Sequence, residues 1–161
     1  MPEGEIAIDD PRAEDIRQLL GHHLEHSYAI SPPQDVHALD LEGLLHPDVS
    51  FFRFRRDGEL LGIGALKRLD DDHAELKSMH VVEAARGGGI GRAMVEHLIG
   101  VVRTGGFSRV SLETGSMTDY APARALYAQA GFTSCGPFGP YRLSPNSTFM
   151  TMLLATGDRG R

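Results

Sequence analysis

Arg86-Gly87-Gly88-Gly89-Ile90-Gly91 lies between a strand-like run and a strongly amphipathic helical stretch, and its reading decides how the rest of the chain folds. Four glycines in five positions let main-chain N–H groups approach an anion with no Cβ in the way. The positive end of the following helix favours the same ligand. The turn reads as a pyrophosphate site, with Arg92 as a further cation at its edge.

Upstream of the turn, Ala74–Val82 is a long strand, preceded by strands at Ser50–Arg55 and Glu59–Leu66 that flank the hairpin signal Asp57-Gly58. Downstream, Ile90, Ala93, Met94, His97, Leu98, Val101 and Val102 fall on one helical face, and Gly105-Gly106 ends the helix. A strand at Arg109–Glu113, a helix at Pro122–Ala130, and strands at Phe132–Gly136 and Phe149–Leu154 follow. At the N-terminus a strand is expected at Glu5–Ile8. A helix at 11–26 is capped by Asp10-Pro11 and buries Ile16, Leu19, Leu20 and Leu24; a second helical stretch covers Val36–Leu45. The order predicts a mixed α/β sheet with helices on both faces, in one domain over 1–155 with a frayed tail at 156–161.

Three phosphate motifs compete for the glycine turn. A P-loop needs Gly-Lys-Ser/Thr, but Gly91 is followed by Arg92-Ala93. A dinucleotide fingerprint needs a third small residue, but that place holds Met94 or Arg92; Glu113 stands where its ribose-binding acid would sit. The pattern that fits is Arg-x-x-Gly-x-Gly, filled by Arg86, Gly89 and Gly91.

With Ala74-Glu75-Leu76-Lys77-Ser78-Met79-His80-Val81 before that pattern, and Ala123-Arg124-Ala125-Leu126-Tyr127-Ala128-Gln129-Ala130-Gly131-Phe132 after it, the chain resembles the GNAT superfamily of acetyl-CoA-dependent N-acyltransferases. Ser31-Pro32-Pro33 through Asp40 and Pro145-Asn146-Ser147 through Met150 resemble a bacterial small-molecule-type subgroup. The resemblance implies a mostly antiparallel sheet of six or seven strands with about four helices, and acetyl-CoA as acetyl donor without a metal. It implies a pantetheine arm along Met79, His80 and Val81, with the Met79 N–H polarising the thioester carbonyl. Glu75 matches the family's general base and Tyr127 its proton donor to the thiolate. Tyr120 stands where the family often has an Asn that contacts the cofactor arm.

Acetyl transfer to an amine needs a base, because an amine of pKa ~10.4 is almost wholly protonated at neutral pH. Glu75 fills that role, or else is a surface glutamate or pairs with Lys77 on the same strand face. His80 is a second candidate base. Tyr127 is protonated at neutral pH without any shift, and is otherwise an amphipathic core residue. Cys135, the only cysteine, excludes an intrachain disulfide and reads as a small buried hydrophobe rather than a nucleophile. Direct attack by the amine is preferred. The acceptor pocket is expected from the N-terminal helices and the loop at 136–147, with Tyr28, His37, Asp40, Tyr141 and Asn146 as contacts.

The acceptor is expected to be a small-molecule amine, with a peptide N-terminus and a protein lysine also open. The acidic balance of the N-terminal part suits a cationic amine, and the basic stretch around the glycine turn suits an anionic cofactor. Residues 1–60 carry 13 acidic against 5 basic side chains, while residues 86–124 carry 5 arginines against 3 acids. A net charge of -6 argues against nucleic acid, and no apolar run reaches the length of a membrane span. Residues 1–20 lack a signal-peptide pattern, so a cytoplasmic location is expected. Dimers are frequent in such families; the sequence leaves a homodimer open. Two rival readings stand beside the enzyme: a non-catalytic acetyl-CoA-binding regulator, and a zinc hydrolase through His22, Glu25 and His26, whose His-x-x-Glu-His spacing puts both histidines on one helix face.

Overall fold

A computed structural model describes residues 3–154; the tail expected at 156–161 lies outside the described residues. Seven strands form one sheet: β1 (Glu5–Ile8), β2 (Val49–Arg56), β3 (Glu59–Arg68), β4 (His73–Val81), β5 (Arg109–Gly115), β6 (Thr133–Cys135) and β7 (Ser147–Leu153). Four α-helices accompany them: α1 (Glu14–Ile30), α2 (Leu41–Leu44), α3 (Ile90–Thr104) and α4 (Ala121–Ala130). The spatial order is β1-β2-β3-β4-β5-β7-β6, and every neighbouring pair is antiparallel except β4 and β5. None of the described helices is long and apolar enough to cross a membrane.

Local chemistry accounts for the elements. Asp57 and Gly58 turn with φ of 51° and 81°, the left-handed pair that a two-residue hairpin demands, so β2 and β3 close with Arg56 opposite Glu59. The two sheet faces are covered separately. On one, Ile16, Leu19 and Leu20 of α1 and Leu44 of α2 pack over Phe51, Ile63 and Ala65. On the other, α3 and α4 bury Met94, Leu98, Val102 and Tyr127 against Phe52, Leu76, Val110 and Leu112. Gly131 leaves α4 at φ 115°, and the Phe132 N–H then donates to the Tyr127 carbonyl at 3.0 Å. That turn folds the Phe132 ring back onto Tyr127, the ring centroids 5.9 Å apart.

Several boundaries differ from expectation. Helix α1 starts at Glu14, because the Asp10 carboxylate accepts from the Arg12 N–H and guanidinium and makes a turn there instead of a cap. It runs on to Ile30 and stops before Pro32-Pro33. The second helix shrinks to Leu41–Leu44, because Asp40 accepts from the Gly43 N–H at 2.9 Å and so begins the helix after itself. On α3 His97 is exposed, while Val95 and Ile99 are buried; α3 packs against α4 as well as β3 and β4, which widens its apolar stripe. Phe132 is buried ahead of β6, and β7 begins at Ser147, paired with Gly115.

Candidate active site

The parallel pairing of β4 with β5 covers only His73–Glu75 against Arg109–Ser111. Beyond it β4 stays with β3 and β5 with β7, so the sheet opens into a notch. Within β4, Ser78 adopts φ 58°, and the register against β3 shifts there, leaving Ser78 and Met79 without a Cα partner opposite Gly64. A Cβ on Gly64 would lie 2.7 Å from the Met79 sulfur, so this glycine is what lets the Met79 side chain pack inward.

Two cavities meet at the notch, sharing His23, Ser27, Met79, Tyr120, Ala123 and Tyr127 in their walls. The larger, about 460 Å³, runs past Met79, His80 and Val81 to the glycine turn, with Arg86, Gly87, Gly89, Ile90, Gly91 and Arg92 lining it. Gly87 and Gly89 turn at φ 85° and 88°, conformations an L side chain rarely adopts. The first helical amide to find a carbonyl is that of Ala93, at 3.0 Å from the Gly89 oxygen. Among the described residues no main-chain carbonyl accepts from the amides of residues 87–92. A Cβ on Gly87 would meet nothing within 4 Å, and one on Gly88 only the Ala85 oxygen at 3.5 Å, so the turn stands open. Arg86 folds back, its Nε donating to the Val81 carbonyl at 3.1 Å. Free amides around an open cradle at a helix start fit a diphosphate.

The smaller cavity, about 130 Å³, is polar. Strand alternation puts Glu75 and Lys77 of β4, and Glu113 of β5, on the face opposite the α3–α4 core. Glu75 is buried, and its Oε2 accepts from Lys77 Nζ at 3.1 Å and from the Tyr141 hydroxyl. Lys77 Nζ also donates to the Tyr141 oxygen at 2.7 Å. Glu113 is half-buried. Burial pushes its carboxyl up to about 7; Ser147 and Lys77 oppose the rise, and the charges of Glu75 and Asp35 add to it. Tyr127 sits between the cavities with its phenol raised above the ordinary range, by burial first and by Glu113 second.

The remaining expected residues divide. His37 lines the smaller cavity and meets the Tyr141 ring edge-on at 4.9 Å, and burial holds its imidazole below the usual range. Asn146 Nδ2 donates to Asp35 at 2.9 Å, tying the 136–147 loop to the turn after α1. Tyr120 stands at the junction of the cavities because Gly115 leaves room for it: a Cβ there would lie 2.1 Å from the ring. Tyr28 is exposed and Asp40 caps α2; neither lines a cavity described here. Cys135 lies on β6, and neither cavity includes it. His22, Glu25 and His26 are exposed on α1, and among the described residues no group of three or more His, Cys, Asp or Glu is placed to hold a metal.

Sequence reasoning missed two features. Glu113 entered only as a ribose contact for a fold the chain does not have. His23, rather than its neighbours, turns inward, its Nδ1 lying 3.2 Å from that of His80. Burial holds both rings down at about 4. The signal available for Glu113 was its odd place on β5, in step with Arg109 and Ser111, but its burial depends on elements far away in the chain.

The opened sheet has the glycine turn at one end of its notch and two carboxylates, Glu75 and Glu113, at the other. Residues 13–132 match the Acetyltransferase (GNAT) family. The chain belongs to that family and is an N-acetyltransferase. It is 42% identical over 149 residues to the uncharacterized N-acetyltransferase YsnE of Bacillus subtilis, covering 92% of this chain and 99% of that one. It is 38% identical over 152 residues to the IAA acetyltransferase of Azospirillum brasilense, covering 93% and 97%. In fold it is similar to a GNAT acetyltransferase of Staphylococcus aureus, with TM-score 0.74 at 19% identity over 95% of this chain and 100% of that one. It is also similar to a Bacillus subtilis acetyltransferase solved in complex with CoA, with TM-score 0.72 at 16% identity over 95% and 100%.

Proposed function

We propose that the chain moves the acetyl group of acetyl-CoA to a primary amine of a small molecule by direct attack. The observation that carries this reading is the meeting of two unlike cavities at the β4–β5 notch, one ending on open main-chain amides and the other on the carboxylates of Glu75 and Glu113. Acetyl-CoA supplies an activated thioester. The amides of residues 87–92, with Arg92 nearby, hold its diphosphate, and β4 from Met79 to Val81 guides its arm.

Glu113 takes the proton from the amine. A carboxyl held near neutrality is still an anion in part at physiological pH, and is a stronger base than an ordinary glutamate. Glu75, the base expected from sequence, has one oxygen already engaged by Lys77 and Tyr141, and its part is to set the charge of the pocket. Tyr127 keeps its proton at every pH of interest. From its place between the cavities it donates a hydrogen bond to the departing thiolate, which is finally protonated at the expense of the proton the amine gives up. The Met79 N–H is the donor toward the carbonyl oxygen as charge develops there.

The test is an acetyl-CoA assay over a panel of primary amines, following thiol release and the mass of the product. Thiol release tied to an acetylated amine is expected. Tight CoA binding with no amine acetylated would return the chain to the regulator reading.

A further inference from the structure

The smaller cavity holds a charge arrangement that an amine alone does not explain. Glu75 and Lys77 form an ion pair whose side chains are 3% and 8% exposed. Buried ion pairs add little stability, because desolvation cancels most of the attraction. This pair lies in the wall of the acceptor cavity, where it presents a negative and a positive group side by side. An ammonium carries three donors. Lys77 gives one to Glu75 and one to Tyr141, and its third is unspent among the hydrogen bonds of the described residues. The left-handed turn at Ser78 interrupts a run, residues 75–79, whose consecutive members all contribute to the cavity wall. The Ser78 hydroxyl is buried in that wall without a hydrogen-bond partner. A strained non-glycine residue with an unsatisfied hydroxyl marks a place shaped for a ligand.

We infer that the acceptor is a small zwitterion of amino-acid type: its ammonium faces Glu113 and its carboxylate sits on Lys77 with Ser78 beside it. The cavity's modest volume matches a compact acceptor, and its wall offers acceptors for the one end and donors for the other. Tyr141 bridges Glu75 and Lys77 now, and the substrate carboxylate takes its place on Lys77. The inference rests on the acetyl-transfer reading and narrows its substrate.

The experiment compares each of a set of small amino acids with its decarboxylated amine and its primary amide, reading kcat/KM by thiol release from acetyl-CoA. At least one amino acid should exceed both of its analogues by about tenfold or more, the discrimination expected of a charge-assisted contact. Lys77→Met should bring that ratio close to one, and Ser78→Ala should lower it by a smaller factor. Thermal melts identify any variant that has failed to fold, and the wild-type comparison stands without either. Decarboxylated amines acetylated as well as their amino acids would overturn the zwitterion while leaving the transferase intact. No thiol release from any member would overturn both.

Discussion

The two cavities at the notch are built by different means. The larger ends on main chain, a glycine turn at a helix start reached along a strand that has parted from its neighbour, with side chains of α1 and α4 along its walls. The smaller is lined by side chains from β4, β5, α1, the stretch after α1 and α4, and Tyr141 of the loop before β7 bonds to one of them, Glu75. Main-chain amides recognise a diphosphate wherever the turn is kept, so that half suits a donor shared across a family. Side chains from several segments vary independently, so on the proposed reading the other half carries the identity of the acceptor. The difference also separates what each half should lose on mutation: donor binding in one, turnover and acceptor choice in the other.

Glu113→Gln should give the largest effect, lowering kcat by about 10²–10⁴ while leaving CoA affinity near wild type. In the wild type, kcat/KM should rise with pH through about 7, as Glu113 loses its proton, and that limb should vanish in the variant. The same substitution should raise the melting temperature at pH 8. The folded carboxyl titrates above its unfolded value of 4.5, so its ionisation costs stability as pH climbs from 4.5 through 7, and glutamine removes that cost. Loss of the pH limb in Glu75→Gln instead would move the base to Glu75. Tyr127→Phe should cost less, about 10- to 100-fold in kcat, because a thiolate is already a fair leaving group. The loss should shrink with a donor whose thiol is more acidic.

The smallest effect is on stability. His23, in the wall of both cavities, and His80, in the wall of the larger, titrate at about 4 in the fold against 6.5 when unfolded. Between those values the unfolded chain binds more protons, so stability should fall as pH drops from 6.5 toward 4. Melting temperature should follow, by about 2–4 °C for each kcal/mol lost. His80→Gln should flatten this dependence; an unchanged acid limb would assign it to other groups.

The same contrast explains what the sequence made legible. The strand, glycine turn and helix proposed to hold the donor were readable because their signal is local: Arg86, Gly89 and Gly91 at fixed spacing, a strand before and an amphipathic helix after. Helix α4 with Gly131-Phe132, and the Asp57-Gly58 hairpin, were local in the same way. The acceptor half was not. Glu75, Lys77 and Tyr141 meet across 64 and 66 residues of chain, and nothing near Glu113 in sequence announces its burial. Asp40 looked like a pocket residue and proved to be a helix cap, because a short polar side chain before a helix serves its own backbone first. His23 and His22 are neighbours, and only the rotation of α1 against β4 decides which one turns inward.

The account depends most on the glycine turn holding the diphosphate of CoA, and titration calorimetry with CoA on a matched pair of variants tests it directly. Gly89→Asn and Gly89→Asp impose the same left-handed strain and nearly the same shape, and only the second adds a negative charge. The aspartate should weaken CoA by about 100-fold relative to the asparagine, since like charges brought together cost several kcal/mol. Equal affinity in the two variants would place the diphosphate elsewhere and contradict the account.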